Sequence, residues 1–124
     1  MTRILVADDD NDYLDSMVEG LEARGFEAVG LSDPADALAA AEREVFDAAL
    51  VDLDMGSEHA KDGLYIGRVL KLSTPGVRLV LISGQDGARL AQAATAAGAD
   101  VHLSKPITVR KTVETLSALG VEPQ

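Results

Sequence analysis

The apolar residues of this chain fall into two alternating patterns. Ile4-Leu5-Val6-Ala7 and Ala48-Ala49-Leu50-Val51 are uniformly apolar, and each run ends at an aspartate, Asp8 or Asp52. Between such runs the apolar residues recur with a helical period: Leu14, Met17, Val18 and Leu21 fall at i, i+3, i+4 and i+7, and so do Leu90, Ala93, Ala94 and Ala97. Punctuation residues mark the ends. Gly25 stops the first helix, and Asp33-Pro34 supplies an N-cap and first-turn proline for a second that runs to about Glu44. The polar loop after Asp52 leads into a helix over Gly63–Leu72, which Ser73-Thr74-Pro75-Gly76 breaks. Gly98 closes the fourth helix, and Val109, Val113 and Leu116 mark a fifth that ends by Gly120. Weak β character at Ala28–Leu31, the strongest at Val77–Ile82, and a short run at Val101–Leu103 complete five strands alternating with five helices. Apolar strands separated by helices specify a parallel sheet buried on both faces. We expect one α/β domain over residues 1–124.

Composition narrows the class of function. Aromatic residues make up 3% of the chain, so Leu, Val, Ile and Ala must fill the interior. The formal charge is -10, which argues against direct nucleic-acid binding, since that draws its affinity from Lys and Arg. Without cysteine there is neither a disulfide nor a thiolate metal site. No apolar run approaches the ~20 residues that span a bilayer, and none near the start resembles a secretory leader, so we expect a cytoplasmic protein with no membrane insertion.

In open parallel sheets, ligands bind beyond the carboxyl ends of the strands, where the strand order reverses. Polar residues gather at those ends here: Asp8, Asp9 and Asp10 after the first strand, Asp52 after the third, Ser83 after the fourth, Lys105 after the fifth. If the first and third strands are neighbours, their aspartates share one pocket. Carboxylates packed so closely repel one another unless a cation intervenes, and Mg²⁺ suits a few carboxylates plus phosphate oxygens. The competing structural reading is that Asp8 to Asp10 only cap the following helix.

The ordered set Ile4-Leu5-Val6-Ala7-Asp8-Asp9-Asp10, Ala49-Leu50-Val51-Asp52-Leu53-Asp54-Met55, Asp62-Gly63-Leu64, Leu81-Ile82-Ser83-Gly84 and Leu103-Ser104-Lys105-Pro106 resembles the receiver domain of two-component response regulators, of the stand-alone type. The resemblance implies a flavodoxin-like (βα)5 sandwich with strand order 2-1-3-4-5 and helices on both faces. It implies Asp52 as phosphoacceptor, and Mg²⁺ held by Asp9, Asp52, the backbone carbonyl of Asp54 and, through water, Asp8. Ser83 matches the switch hydroxyl, Lys105 the lysine that pairs with the phosphoryl group, His102 the switch position, and Pro106 a cis bond. The donor would be a histidine kinase or a histidine phosphotransfer protein. Output would pass through protein contacts, with the docking face at about residues 86–119, to a target the sequence does not name.

The chemistry fits these roles. A carboxylate attacks phosphorus when it is ionised and exposed, and a strand end is expected to leave Asp52 both. The added charge would draw in the Ser83 hydroxyl and leave a gap for residue 102. His102 departs from the aromatic rings usual there, and a titratable ring would enter most readily when neutral, so the switch should weaken as pH falls. The loop Gly56–Lys61 is about three residues longer than the pattern and lacks its proline. His59 in that loop reads as a solvated residue rather than a ligand, and the side chains of Asp54 and Gln85 stand beside the site without an assignable effect.

Three other readings compete. Asp52-Leu53-Asp54 echoes the nucleophile motif of haloacid dehalogenase-type phosphatases, but that motif lies near the chain start in larger proteins. A phosphorylation-independent interaction module on the same fold is the alternative reading. A flavin site is disfavoured by the acids after the first strand, which would repel its phosphate.

Overall fold

The computed structural model describes residues 1–55, 61–84 and 88–124, with the side chains of Lys61 and of residues 88–91 also left aside. In chain order the elements are β1 (Arg3–Ala7), α1 (Asn11–Glu22), β2 (Glu27–Leu31), α2 (Pro34–Arg43), β3 (Ala48–Asp52), α3 (Lys61–Ser73), β4 (Arg78–Ser83), α4 (Ala88–Ala96), β5 (Val101–Ser104) and α5 (Val109–Ala118). The five strands form one parallel sheet in the order β2-β1-β3-β4-β5, as expected. His59, Gln85 and most of the long loop fall outside the described residues.

Alternation along each strand divides the core into two layers. Leu5, Ala7, Ala49, Val51, Leu79 and Leu81 face α2, α3 and α4, where Ala37, Ala41, Ile66, Leu70 and Ala94 close the layer. Ile4, Val6, Ala48, Leu50, Val80 and Ile82 face α1 and α5, against Leu14, Met17, Leu21 and Leu116. β1, β3 and β4 are therefore covered on both sides, while the edge strands β2 and β5 are only partly buried, which is why the central ones read as unbroken apolar runs. The scarcity of aromatic rings is met by placing one phenylalanine in each layer, Phe26 with α1 and Phe46 with α2.

The helix ends are set locally. Asp10 caps α1, its Oδ1 accepting from the backbone N–H of Asp12 at 3.1 Å and of Tyr13 at 3.2 Å. Asp33 caps α2 in the same way, with Pro34 at the first turn. Gly25 takes a positive φ of 94° just past α1, where a side chain would be strained. The third helix starts two residues before Gly63, at Lys61. Gly63 is demanded there by contact: a Cβ would sit 2.4 Å from the Asp52 carbonyl oxygen and 2.6 Å from Leu53 Cα. The glycine lets α3 lie directly on the end of β3, and so fixes the backbone that carries Asp52.

Candidate functional site

The register places β1 between β2 and β3, with Ala7 beside Val51, so the residues that follow them, Asp8 and Asp52, emerge side by side. One carboxylate oxygen from each of Asp8, Asp9 and Asp52 lies within 4.8 Å of the others. Asp8 is 2% and Asp52 1% exposed, whereas Asp9 is exposed. Asp10 stays out of this group, occupied with the cap of α1. The capping reading thus holds for Asp10 and fails for Asp8 and Asp9.

Lys105 reaches across from the end of β5. Its Nζ donates to Asp52 Oδ2 at 2.7 Å and lies 3.4 Å from Asp8 Oδ2. Backbone N–H groups hold the remaining oxygens: Asp54 donates to Asp52 Oδ1 at 2.9 Å, and Asp10 to Asp8 Oδ1 at 2.9 Å. Each buried carboxylate therefore has one oxygen fixed by its own loop and one shared through Lys105. The Lys105–Pro106 peptide is cis, as the resemblance implies.

Burial changes the acid–base character of the cluster. Asp52 was expected to be exposed and ionised, but it is buried, with Lys105 bonded to its carboxylate. That burial pushes its carboxyl up to about 6, with the Asp8 charge adding to the effect and the bonds from Lys105 and Asp54 opposing it. Asp8 is raised as well, chiefly by burial, against the bond from Asp10 and the charge of Lys105. Burial pulls the Lys105 ammonium down, but the bond to Asp52 and the charges of Asp52 and Asp8 outweigh it and leave Lys105 raised. One ammonium thus serves two buried carboxylates, with a third acid, Asp9, close by, and the three carboxylates could together hold a metal ion.

The fourth and fifth strands bring the remaining pair together. Ser83 is fully buried at the end of β4, and its Oγ lies 3.0 Å from Nε2 of His102, a half-buried residue of β5. The sequence suggested that residue 102 fills a gap left by Ser83; the geometry joins the two directly. The Asp54 carboxylate stands beside the same strand end, its Oδ2 4.0 Å from where a Cβ on Gly84 would be. A further residue stands near the site that the sequence did not single out. Tyr13 on α1 presents its ring to Lys105, with Nζ 5.9 Å from the ring centroid. The available signal was weak: an aromatic four residues past Asp9, in a chain with only two tyrosines.

The model of the response regulator receiver domain family matches residues 4–117. The chain belongs to that family. Among its relatives is the transcriptional regulatory protein PrrA of Mycobacterium tuberculosis strain H37Rv, 33% identical over 117 residues, which cover 94% of this chain and 49% of PrrA. The chain spans about half the length of that relative. A receiver domain protein (CheY-like) from Methanospirillum hungatei JF-1 superposes with a TM-score of 0.87 at 28% identity, covering 96% of this chain and 93% of the other. A response regulator from Burkholderia pseudomallei, with a phosphorylated aspartic acid, a calcium ion and citrate, gives 0.83 at 27% identity over 97% of this receiver domain and 73% of its own chain. These neighbours agree with the parallel sheet of order 2-1-3-4-5 and its five helices. Among the described residues no helix is long and apolar enough to cross a membrane.

Proposed function

We propose that this receiver domain is a phosphorylation switch that accepts a phosphoryl group on Asp52 from a histidine kinase or a histidine phosphotransfer protein. The observation that carries the reading is the bridge of Lys105 between Asp52 and Asp8, within a cluster of three carboxylates. A lysine salt bridge alone would need one acid. Three acids around one ammonium leave two negative charges uncompensated, which suits a hard dication. Asp9 and Asp52 would hold Mg²⁺ through their side chains, Asp54 through its carbonyl and Asp8 through water. The ion would supply positive charge to offset that of the incoming group and the carboxylates.

The chain's own groups account for the remainder. The N–H of Asp54 and Nζ of Lys105 fix the plane of the Asp52 carboxylate. In transfer from a phosphohistidine, one Asp52 oxygen forms the new P–O bond while the P–N bond breaks and the imidazole departs. Lys105 stands where it can follow the charge from the carboxylate oxygen to the phosphoryl oxygens. Ser83 offers one O–H donor and two acceptor positions, so its hydroxyl can accept from His102 Nε2–H while donating to a phosphoryl oxygen. Charge at Asp52 would thereby pull on β5 through a bond that already exists.

The domain works as a cytoplasmic signalling switch rather than a turnover enzyme, and it acts through protein contacts without touching nucleic acid itself. The test is incubation with acetyl phosphate and Mg²⁺ followed by intact-mass analysis. A gain of one phosphoryl group, lost in Asp52→Asn, supports the reading. No gain by the unaltered chain refutes it and favours the phosphorylation-independent interaction module.

A further inference from the structure

Among the described residues, the Tyr13 hydroxyl is the single buried side-chain nitrogen or oxygen without a hydrogen-bond partner. A buried donor left unpaired costs about 1–3 kcal/mol, and phenylalanine would fill the same volume without that cost. The position of the group is informative. Its ring faces Lys105 Nζ at 5.9 Å, within the range over which an ammonium is drawn to an aromatic face. That same Nζ is 2.7 Å from Asp52 and 3.4 Å from Asp8. The surroundings push the phenol up to about 12, first through burial and then through the charge of Asp8, with Lys105 opposing and Asp52 adding. The hydroxyl therefore lies in the field of the phosphoryl site, with no acceptor of its own there.

We propose that Tyr13 is a further residue of the phosphoryl site: its ring positions the Lys105 ammonium against Asp52 and Asp8, and its hydroxyl donates to an oxygen that arrives with the phosphoryl group. The inference rests on Asp52 being the acceptor. It explains why a donor without a partner stands in an otherwise satisfied site, since its acceptor comes with the ligand. The ring and the hydroxyl make separable contributions. The ring limits how far Lys105 can swing, and the hydroxyl adds a hydrogen bond present only in the occupied state.

Beryllium fluoride, which binds a carboxylate as a tetrahedral phosphoryl mimic, serves as the probe, titrated in saturating Mg²⁺ against the unaltered chain, Tyr13→Phe and Tyr13→Leu. Binding is followed by calorimetry for all three, and by emission of Tyr13 in a separate Tyr65→Phe variant that keeps it as the one tyrosine. Tyr13→Phe should bind the mimic about 5- to 10-fold more weakly, the equivalent of one lost hydrogen bond. Its affinity for Mg²⁺ alone should be unchanged, and its stability without ligand at least that of the parent. Tyr13→Leu should bind more weakly still, because Lys105 loses its aromatic wall.

Equal affinity of the parent and Tyr13→Phe for the mimic overturns the inference while leaving the acceptor assignment intact. Weaker binding by Tyr13→Phe together with lower ligand-free stability assigns the hydroxyl to the fold and overturns it too. No binding by the unaltered chain removes the acceptor assignment, and this inference with it.

Discussion

Replacing Asp52 with asparagine should make the metal-free protein more stable at neutral pH. The carboxyl is raised from 3.8 to about 6, so at pH 7 the folded protein holds an ionised group that its surroundings disfavour. That shift of roughly two units corresponds to about 3 kcal/mol of stability forgone above pH 6. The sign follows from proton counting. Between about pH 4 and 6 the folded state keeps a proton that the unfolded state releases, so stability falls as pH rises through that window and stays low above it. Asparagine is neutral throughout. It has one oxygen where aspartate has two, so it cannot accept from both the Asp54 N–H and Lys105; losing one such bond returns about 1 kcal/mol. The net gain is about 2 kcal/mol at pH 7.5, falling to roughly 0.6 kcal/mol by pH 5. Urea denaturation followed by circular dichroism, with a chelator present, measures it directly. Adding Mg²⁺ should then close the gap, because an ion at 100 times its Kd stabilises the parent by about 2.7 kcal/mol, while the variant has lost a ligand. Equal stability of the two proteins at pH 7.5 without metal, or a gap that does not change with pH, would refute the account of Asp52 as a buried, disfavoured charge.

Other substitutions probe the supports of the site. Gly63→Ala should destabilise the fold by about 2–3 kcal/mol or more, read by urea denaturation, because its Cβ would press into the backbone of Asp52 and Leu53. Lys105→Met should slow phosphorylation by acetyl phosphate about 100-fold, read by intact mass over time, while Mg²⁺ binding survives. A double-mutant cycle of Ser83→Ala and His102→Phe should show a coupling of about 1 kcal/mol in unfolding free energy, matching the 3.0 Å contact. Asp100 supplies a control of opposite sign. Burial pushes its carboxyl up, but the Leu79 N–H at 2.7 Å and Lys71 at 2.9 Å overcome this and hold it below its ordinary value. Asp100→Asn should therefore destabilise at neutral pH, and the loss should fade as pH falls through the carboxylate range, the reverse of Asp52→Asn.

The architecture was legible because two signals agree at most elements: the period of the apolar residues and the residues that end each run. Asp33-Pro34 and Gly25 say where helices start and stop, and the unbroken runs at 4–7 and 48–51 say that both sheet faces are covered. The start of α3 was misplaced by two residues because Gly63 reads as a helix boundary, whereas contact with the end of β3 puts it inside the first turn. At the site, Asp8, Asp9, Asp52 and Lys105 could be grouped because strand ends in a parallel sheet converge. Their division of labour could not. Asp10 differs from Asp8 and Asp9 only in which way the backbone turns its side chain, and a run of three identical residues carries no sign of that. The contacts of Tyr13 with Lys105 and of His102 with Ser83 link residues far apart in the chain, and spacing encodes neither.

The burial of Asp52 is the point where sequence reasoning went astray, and its consequence runs deeper than a corrected exposure. A solvated carboxylate would be ionised at neutral pH at its ordinary value, with no cost to its charge. A carboxylate raised to about 6 and bound to Lys105 is different, because it is ionised at neutral pH in surroundings that disfavour its charge, and nearby positive charge relieves that cost. Lys105 supplies part of that charge, and its raised ammonium shows that the attraction runs both ways. On the proposed function, a cation among Asp8, Asp9 and Asp52 would add to it. If Asp52 is the acceptor, its burial would couple two properties that seem separate, the benefit of a divalent ion and the readiness of the acceptor, in one enclosed aspartate.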